Sequence, residues 1–198
     1  MMRALAAITT LAAAGLTAVE AVAQPLDTAG ATLCKVRGWV QDPDPKGTNV
    51  RSAPRANAPI IGHLAPMVQI TKDEKTGVEF AIVGSKDGWL LIRDGSDGGL
   101  TFDAAHAADG RGWVSARLVG AQLRVAAFRS APRRDAPQIV RLAGDDWGPS
   151  SVGVSAVHGC DGRYLEVTAI PVDGKPVRGW SFLPCSSQLT TCDGGITE

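Results

Sequence analysis

The chain has 198 residues, of which 20 are Lys or Arg and 20 are Asp or Glu, so its formal net charge is zero. A chain without a basic excess has little with which to neutralise phosphates, and we therefore expect no nucleic-acid partner. Its length fits one ordinary domain or two very small ones.

The amino terminus has the pattern of a secretory signal peptide. Arg3 supplies a positive charge, residues 4–19 carry no charged side chain, and Ala21-Val22-Ala23 forms a small-x-small cleavage site. The apolar stretch is shorter than the roughly 20 residues that a membrane-spanning helix needs. We therefore predict that residues 1–23 are a signal peptide, that the mature protein has no membrane anchor, and that it is periplasmic or secreted.

All four cysteines follow the predicted cleavage site: Cys34, Cys160, Cys185 and Cys192. An even number of cysteines in an exported chain predicts disulfides, and four cysteines allow three connectivities. The chain has no Cys-x-x-Cys pair and its three histidines lie far apart, so we expect neither a metal site nor a cofactor.

An internal repeat is the most informative feature of the sequence. Residues 49–65 recur in residues 127–143, where Arg-Ser-Ala-Pro-Arg, Ala-Pro, Ile and Leu-Ala match at a constant offset of 78 residues. Later matches, including Arg-Gly-Trp at residues 111–113 and 178–180, have smaller offsets, as expected when strands are kept and loops differ. The repeat predicts two domains, at residues 34–119 and 120–198.

The local patterns within each copy predict short strands. Residues 78–83 and 152–157 contain β-branched residues in partial alternation, and residues 89–92 and 164–167 are mostly apolar runs. An Asp-Gly pair, which favours a tight turn, lies before each of these runs. Repeated prolines after each Arg-Ser-Ala argue against a long helix there, so the predicted fold class is all-β.

A predicted hairpin suggests how the cysteines pair. Residues 164–167 and 177–182 should pair across a turn at residues 171–175, which would bring Cys160 and Cys185 together at the open end. We therefore expect Cys160–Cys185, which leaves Cys34–Cys192 to join the two ends of the mature chain.

The motifs resemble the bacterial SH3 family (SH3b domains). The first copy matches the family's segments in order, at Asn49-Val50-Arg51-Ser52-Ala53-Pro54, Ile61-Gly62, Asp87-Gly88-Trp89 and Gly112-Trp113-Val114. The resemblance implies two tandem SH3-like small β-barrels. The second copy departs from the pattern, with Ala127 in place of the Asn, Phe128 in place of the Val and Arg163 in place of the first Trp. We therefore expect the first copy to bind the ligand and the second to be a structural support held by disulfides.

The resemblance also implies a function, namely a non-catalytic binding module of the bacterial cell envelope that recognises peptidoglycan or cell-wall peptides. The implied ligand-binding residues are Asn49, Arg51, Trp89 and Trp113, although Trp113 also fits a position in the core. One alternative is a structural module that docks an envelope protein.

A more remote alternative is a wall hydrolase. His158 and Cys160 are two residues apart, so on a strand they share a face and would form a Cys-His pair. The competing interpretation is a half-cystine beside a surface histidine, because a catalytic thiol would have to be outside a disulfide.

Two loops also carry polar residues. Residues 94–99 are rich in Asp and Gly, and Asp103, His106 and Asp109 follow them. The carboxylates of this segment offer oxygen ligands to calcium, but their spacing does not match an EF-hand loop. We expect a solvated loop there. Residues 42–47, which contain Asp42 and Asp44, fit the loop that flanks the ligand groove of the family, or simply a stiff Pro-rich connection.

Overall fold

A computed structural model describes residues 25–142, 152–171, 174–190 and 192, and the predicted signal peptide lies outside these residues. Among the described residues the regular structure is all strand, apart from two 3₁₀ turns of three residues at Ser96–Gly98 and Ala116–Leu118. The all-β prediction is therefore confirmed. No helix in this part of the chain has the length and apolar character to cross a membrane.

The strands of the first sheet come from residues 32–120, and a separate two-stranded hairpin projects from it. They are β1 (Thr32–Val40), β2 (Thr48–Arg51), β3 (Ile60–Leu64), β4 (Val68–Gln69), β5 (Lys75–Thr76), β6 (Glu79–Lys86), β7 (Trp89–Arg93), β8 (Leu100–Phe102), β9 (Arg111–Ser115) and β10 (Val119–Gly120). The eight-stranded order is β10-β1-β6-β7-β9-β2-β3-β8, and β4 pairs only with β5.

The second sheet has five strands. They are β11 (Ala127–Arg129), β12 (Gln138–Arg141), β13 (Gly153–Asp161), β14 (Tyr164–Ile170) and β15 (Val177–Phe182), in the order β12-β11-β15-β14-β13. The predicted hairpin between residues 164–167 and 177–182 is confirmed as β14 and β15.

The repeat seen in the sequence is also a repeat of topology. Within the first sheet, β3-β2-β9-β7-β6 has the same connectivity as β12-β11-β15-β14-β13 in the second. The register agrees as well, because Arg51 lies opposite Trp113 and Arg129 lies opposite Trp180. Strands β1, β8 and β10 are additions to the first sheet. The sequence offset shrinks because β8 and the β4–β5 hairpin lie between matched strands of the first copy and have no counterpart among the described residues of the second.

The Arg-Ser-Ala-Pro segment folds identically in both copies. The backbone N–H of Ser52 donates to the Pro59 carbonyl at 3.0 Å, and the N–H of Ser130 donates to the Pro137 carbonyl at 2.9 Å. The pairing also has a bulge at the same place in both copies, where the extra residue is Ile61 on β3 and Ile139 on β12.

The strand residue before each arginine is buried in the core. Val50 and Phe128 are both fully buried, as their alternation with the arginines predicts. The core is one continuous cluster that includes residues of both sheets, among them Ile82 and Leu90 from the first and Val157 and Leu165 from the second. The two sheets therefore form one packed body.

Polar contacts connect β13 to the first sheet. The buried Ser85 hydroxyl donates to the Cys160 carbonyl at 2.9 Å and accepts from the Cys160 N–H at 2.9 Å. Beside it, the Gly162 N–H donates to the Leu33 carbonyl at 3.0 Å and the Lys35 N–H donates to the Gly162 carbonyl at 2.6 Å. These bonds use the outer edge of β13, which would otherwise be an unpaired sheet edge.

The disulfides differ from the predicted pairs. The bonds are Cys34–Cys160, with the two Cα atoms 5.8 Å apart, and Cys185–Cys192. The predicted Cys160–Cys185 and Cys34–Cys192 pairs are therefore wrong. Cys160 lies on β13, and β14 separates it from β15, whereas a parallel bridge between Cys34 and Gly162 places β1 beside it. No local sequence pattern indicates that β1, which is outside the repeat, packs against β13.

The segment after β15 returns to the first sheet. The Gln188 side-chain amide exchanges two hydrogen bonds with the Gly77 backbone, at 2.7 and 2.8 Å. Backbone groups of Gln122 and Cys185 pair at 3.0 Å in both directions. Residues 183–190 thus close over the junction of the two sheets.

Candidate functional site

Three of the four predicted ligand-binding residues lie together. Asn49, Arg51 and Trp89 line a shallow depression of about 180 Å³ in the first sheet. Trp113 does not line it, because its side chain is fully buried and its indole N–H donates to the Asp27 carbonyl at 2.8 Å. Trp113 is therefore a core residue in this structure.

The Arg51 side chain stabilises a turn beside the depression. Its guanidinium Nη1 donates to the Ala58 carbonyl at 2.8 Å, and Arg129 makes the same 2.8 Å bond to Ala136 in the second copy. Because the same contact is present in both copies, stabilisation of the turn is sufficient to explain why an arginine occupies this position. Of the predicted residues in the depression, Asn49 and Trp89 have side chains that make no hydrogen bond to the described residues.

The loop at residues 42–47 forms one wall of the depression. The Thr48 hydroxyl donates to the Asp42 carboxylate at 2.7 Å, and the carboxylates of Asp42 and Asp44 each accept a backbone N–H two residues further on. At Gly47, φ is +78° and a Cβ would meet the Leu64 carbonyl oxygen at 2.2 Å, so only glycine fits there. The wall is consequently rigid.

The opposite wall adds a cation that sequence reasoning missed. Arg117, in the 3₁₀ turn after β9, is exposed and lines the depression together with Trp89. The depression thus combines a half-buried indole, an amide, two carboxylates and a guanidinium. Such a mixture can hold a short peptide through stacking and through bonds to its polar groups.

The two Asp-Gly turns are not equivalent. Asp87 and Gly88 both have positive φ and form the two-residue loop between β6 and β7. In the second copy the loop is Gly162-Arg163, because Asp161 pairs with Tyr164. Tyr164 therefore occupies the place of Trp89, and the sequence alignment of Arg163 with Trp89 was wrong by one residue.

His158 and Cys160 do not form a nucleophile pair. The Cys160 sulfur is bonded to Cys34, and the His158 Nε2 lies 2.8 Å from the Thr168 hydroxyl. Burial, and then the nearby Arg178 charge, lower the pKa of His158 below its ordinary value, with Glu166 opposing the shift. The arrangement contains no thiolate that the histidine would activate.

The Asp-rich loop forms local pairs. His106 is buried with its Nδ1 2.6 Å from the Asp103 carboxylate, and this hydrogen bond lowers the pKa of Asp103. Asp94 pairs with Arg93, and Asp109 pairs with Arg111. Within residues 25–142, 152–171, 174–190 and 192, no three His, Cys, Asp or Glu side chains are grouped so that they could hold a metal ion.

A larger cleft lies at the junction of the two sheets, and sequence reasoning did not find it. It measures about 890 Å³ and is lined by β1, β6, the end of β7, the β13–β14 turn and the segment after β15. We call it the junction cleft. Charged side chains in its lining include Lys35, Arg37, Glu79, Arg93, Arg124 and Arg163.

Comparisons with protein-family models, with curated proteins and with solved structures find no match to the chain.

Proposed function

We propose that the chain is a non-catalytic binding module of the bacterial cell envelope, built as two tandem SH3-like barrels, whose first copy binds a cell-wall peptide. The shared five-strand order and the shared arginine-held turn support the tandem assignment. The two disulfides support a location in an oxidising compartment, the periplasm or the exterior.

One observation carries the proposal of a ligand site. Asn49 and Trp89, which the family resemblance selects, meet in one depression next to the rigid loop of Asp42 and Asp44. Peptides of the cell wall offer amines to the carboxylates and flat amide groups to the indole. The corresponding position of the second copy holds Tyr164, which is buried, so the first copy is the proposed binder.

Retention of the mature protein by purified peptidoglycan sacculi tests this proposal. We expect the protein to sediment with sacculi, and Trp89→Ala to weaken retention by about ten-fold, the effect of losing about 1.4 kcal/mol of stacking. Trp180→Ala, a partly buried tryptophan in the other copy, is the matched control and should keep retention. Thermal melting of both variants confirms that they are folded. Equal retention of the Trp89 variant, or no retention of the parent, would refute the proposal.

A second candidate is a module that docks an envelope protein, and one surface favours it. Val68 and Ile70 on the β4–β5 hairpin are 60% and 49% exposed. Cross-linking in an envelope extract should give a discrete product that the double variant Val68→Ser, Ile70→Ser loses. A wall-binding module without this function would give the same products for both proteins.

A further inference from the structure

We propose that the junction cleft is a second binding site, separate from the depression beside Trp89, and that it takes a peptide segment carrying several carboxylates. The cleft does not depend on the proposed wall binding, since none of the residues that line it lines the depression.

The lining of the cleft carries an excess of positive charge. Among the residues that the structure describes, five cationic and two acidic side chains line the cleft, in a protein whose total formal charge is zero. The cations are Lys35, Arg37, Arg93, Arg124 and Arg163, and the acids are Glu79 and Asp94. Such a local excess attracts anions and raises their concentration at the site.

The register of the strands places two arginine side chains in one row of the cleft. Arg37 on β1 lies opposite Ala81 on β6, and Ala81 lies opposite Arg93 on β7. Residues directly opposite across a sheet share a face, so two guanidinium groups flank one small side chain. Like charges in one row are unfavourable unless an anion lies between them, and the small alanine leaves room for it.

The carboxylates of Asp94 and Glu79 in the cleft already have partners. The Arg93 Nε lies 3.0 Å from the Asp94 carboxylate. The Ser186 hydroxyl donates to the Glu79 carboxylate at 2.6 Å and accepts from the Arg37 Nε at 3.1 Å. These contacts use one nitrogen of each arginine, and a guanidinium carries five N–H donors in all. Donors therefore remain for a ligand.

The cleft also contains a buried hydrogen-bond donor that has no acceptor among the described residues. The Arg124 Nε is buried and has no hydrogen-bond partner among the residues that the structure describes. A buried donor without an acceptor destabilises the folded state, and a ligand carboxylate would supply that acceptor. The Arg163 guanidinium lies 4.8 Å from the centre of the Phe182 ring, which holds it at the other side of the cleft while its edge can still donate.

The segment after β15, which forms one wall of the cleft, is held in place without a ligand. The Cys185–Cys192 disulfide and the backbone pair of Cys185 with Gln122 hold the segment after β15 in place. Leu183, which lines the cleft, has φ of +42°, a strained value for this residue type. A wall fixed before binding reduces the entropy that a ligand must overcome.

The size and the mixed lining favour a peptide over a single inorganic anion. A small anion would fill only a small part of about 890 Å³. The wall also presents Leu183 and Pro184, which suit the apolar parts of a peptide. Arginine forks match carboxylates in a bidentate geometry, which favours acidic side chains as the recognised groups.

Calorimetric titration of the mature protein with acetyl-tetraglutamate amide tests the proposal, with acetyl-tetraglutamine amide and inorganic phosphate as comparison probes. We expect the glutamate peptide to bind, the glutamine peptide not to bind, and affinity to fall as NaCl rises from about 50 to about 300 mM. Arg163→Gln should weaken binding by about ten-fold, the loss of one charge-assisted hydrogen bond. Arg163 is exposed on a turn, so this variant should fold, and Arg124→Gln, at a half-buried arginine whose Nε atom is buried, serves as a second variant.

The matched control is Arg55→Gln, which removes an exposed arginine outside the cleft. Its affinity should stay within about two-fold of the parent. No binding at roughly millimolar peptide, or equal weakening by the control, would overturn the site. Phosphate binding as tightly as the peptide would overturn the assignment of a peptide ligand.

Discussion

The disulfide between Cys34 and Cys160 should contribute more stability than the disulfide between Cys185 and Cys192. It closes a loop with a sequence separation of 126, whereas Cys185–Cys192 closes one of 7. On the chain-entropy relation these loops correspond to about 4.9 and about 2.4 kcal/mol of lost freedom in the unfolded chain at 25 °C. The expected difference between the two bonds is therefore about 2.5 kcal/mol.

Equilibrium unfolding in urea of the parent and of two double variants measures this difference. The variants are Cys34→Ala with Cys160→Ala, and Cys185→Ala with Cys192→Ala; alanine avoids leaving a buried hydroxyl at Cys160, which is 1% exposed. Coincident transitions by fluorescence and circular dichroism establish that a two-state free energy can be extracted. We expect the first variant to lose about 5 kcal/mol and the second about 2.

Two results would refute the reasoning. Equal losses of unfolding free energy, or a larger loss for the Cys185 variant, would mean that the Cys34–Cys160 disulfide does not stabilise the protein through the entropy of closing its long loop. A non-reducing peptide map that joins Cys160 to Cys185 would contradict the pairing itself, and with it the packing of β1 against β13.

Three further predictions concern the core and the pH dependence. Arg51→Met should cost about 1–2 kcal/mol, because the Ala58 carbonyl loses its partner; Arg129→Met should cost a similar amount by the same urea assay, and unequal losses would contradict the equivalence of the two turns. Trp113→Ala should cost about 3–5 kcal/mol and lower the melting temperature, since a fully buried indole leaves a cavity; a loss below about 1 kcal/mol would mean that the ring is not core. Burial lowers the pKa of His158 in the folded state from its ordinary 6.5, so the unfolded chain takes up the proton first as pH falls. Stability should therefore be full above about pH 6.5 and decline below it, and His158→Gln should flatten that decline in melting curves recorded against pH; an unchanged slope would exclude this residue as its source.

The strands and the repeat could be predicted because their signals are local. Alternation at Val50, the prolines after each arginine, and the Asp-Gly pair at residues 87–88 each depend on a few neighbouring residues. The depression was partly predictable for the same reason, since Asn49 and Trp89 stand in recognisable motifs. Arg117 carried no such motif and was missed.

The rest depended on tertiary packing. Cys34 lies outside the repeat, and nothing in its neighbourhood indicates that β1 would meet β13. The junction cleft gathers Lys35, Arg93 and Arg163 from distant parts of the chain, and the row of Arg37 and Arg93 exists only in the observed register. One signal was available: Lys35 and Arg37 alternate with a buried Val36, which marks a strand with one cationic face.

The bond between Cys34 and Cys160 also sets the path of mechanical load. A force applied to residues before Cys34 and after Cys160 is transmitted through this bond, so the stretch of chain between the two cysteines is bypassed. That stretch spans a sequence separation of 126, equivalent to about 430 Å of extended chain. While the bond is intact, pulling loads the edge where β13 meets β1 and the strands that follow, whereas most of the first sheet, with the depression beside Trp89, bears no tension along its backbone. Reduction would release that hidden length and expose the first sheet to the same force.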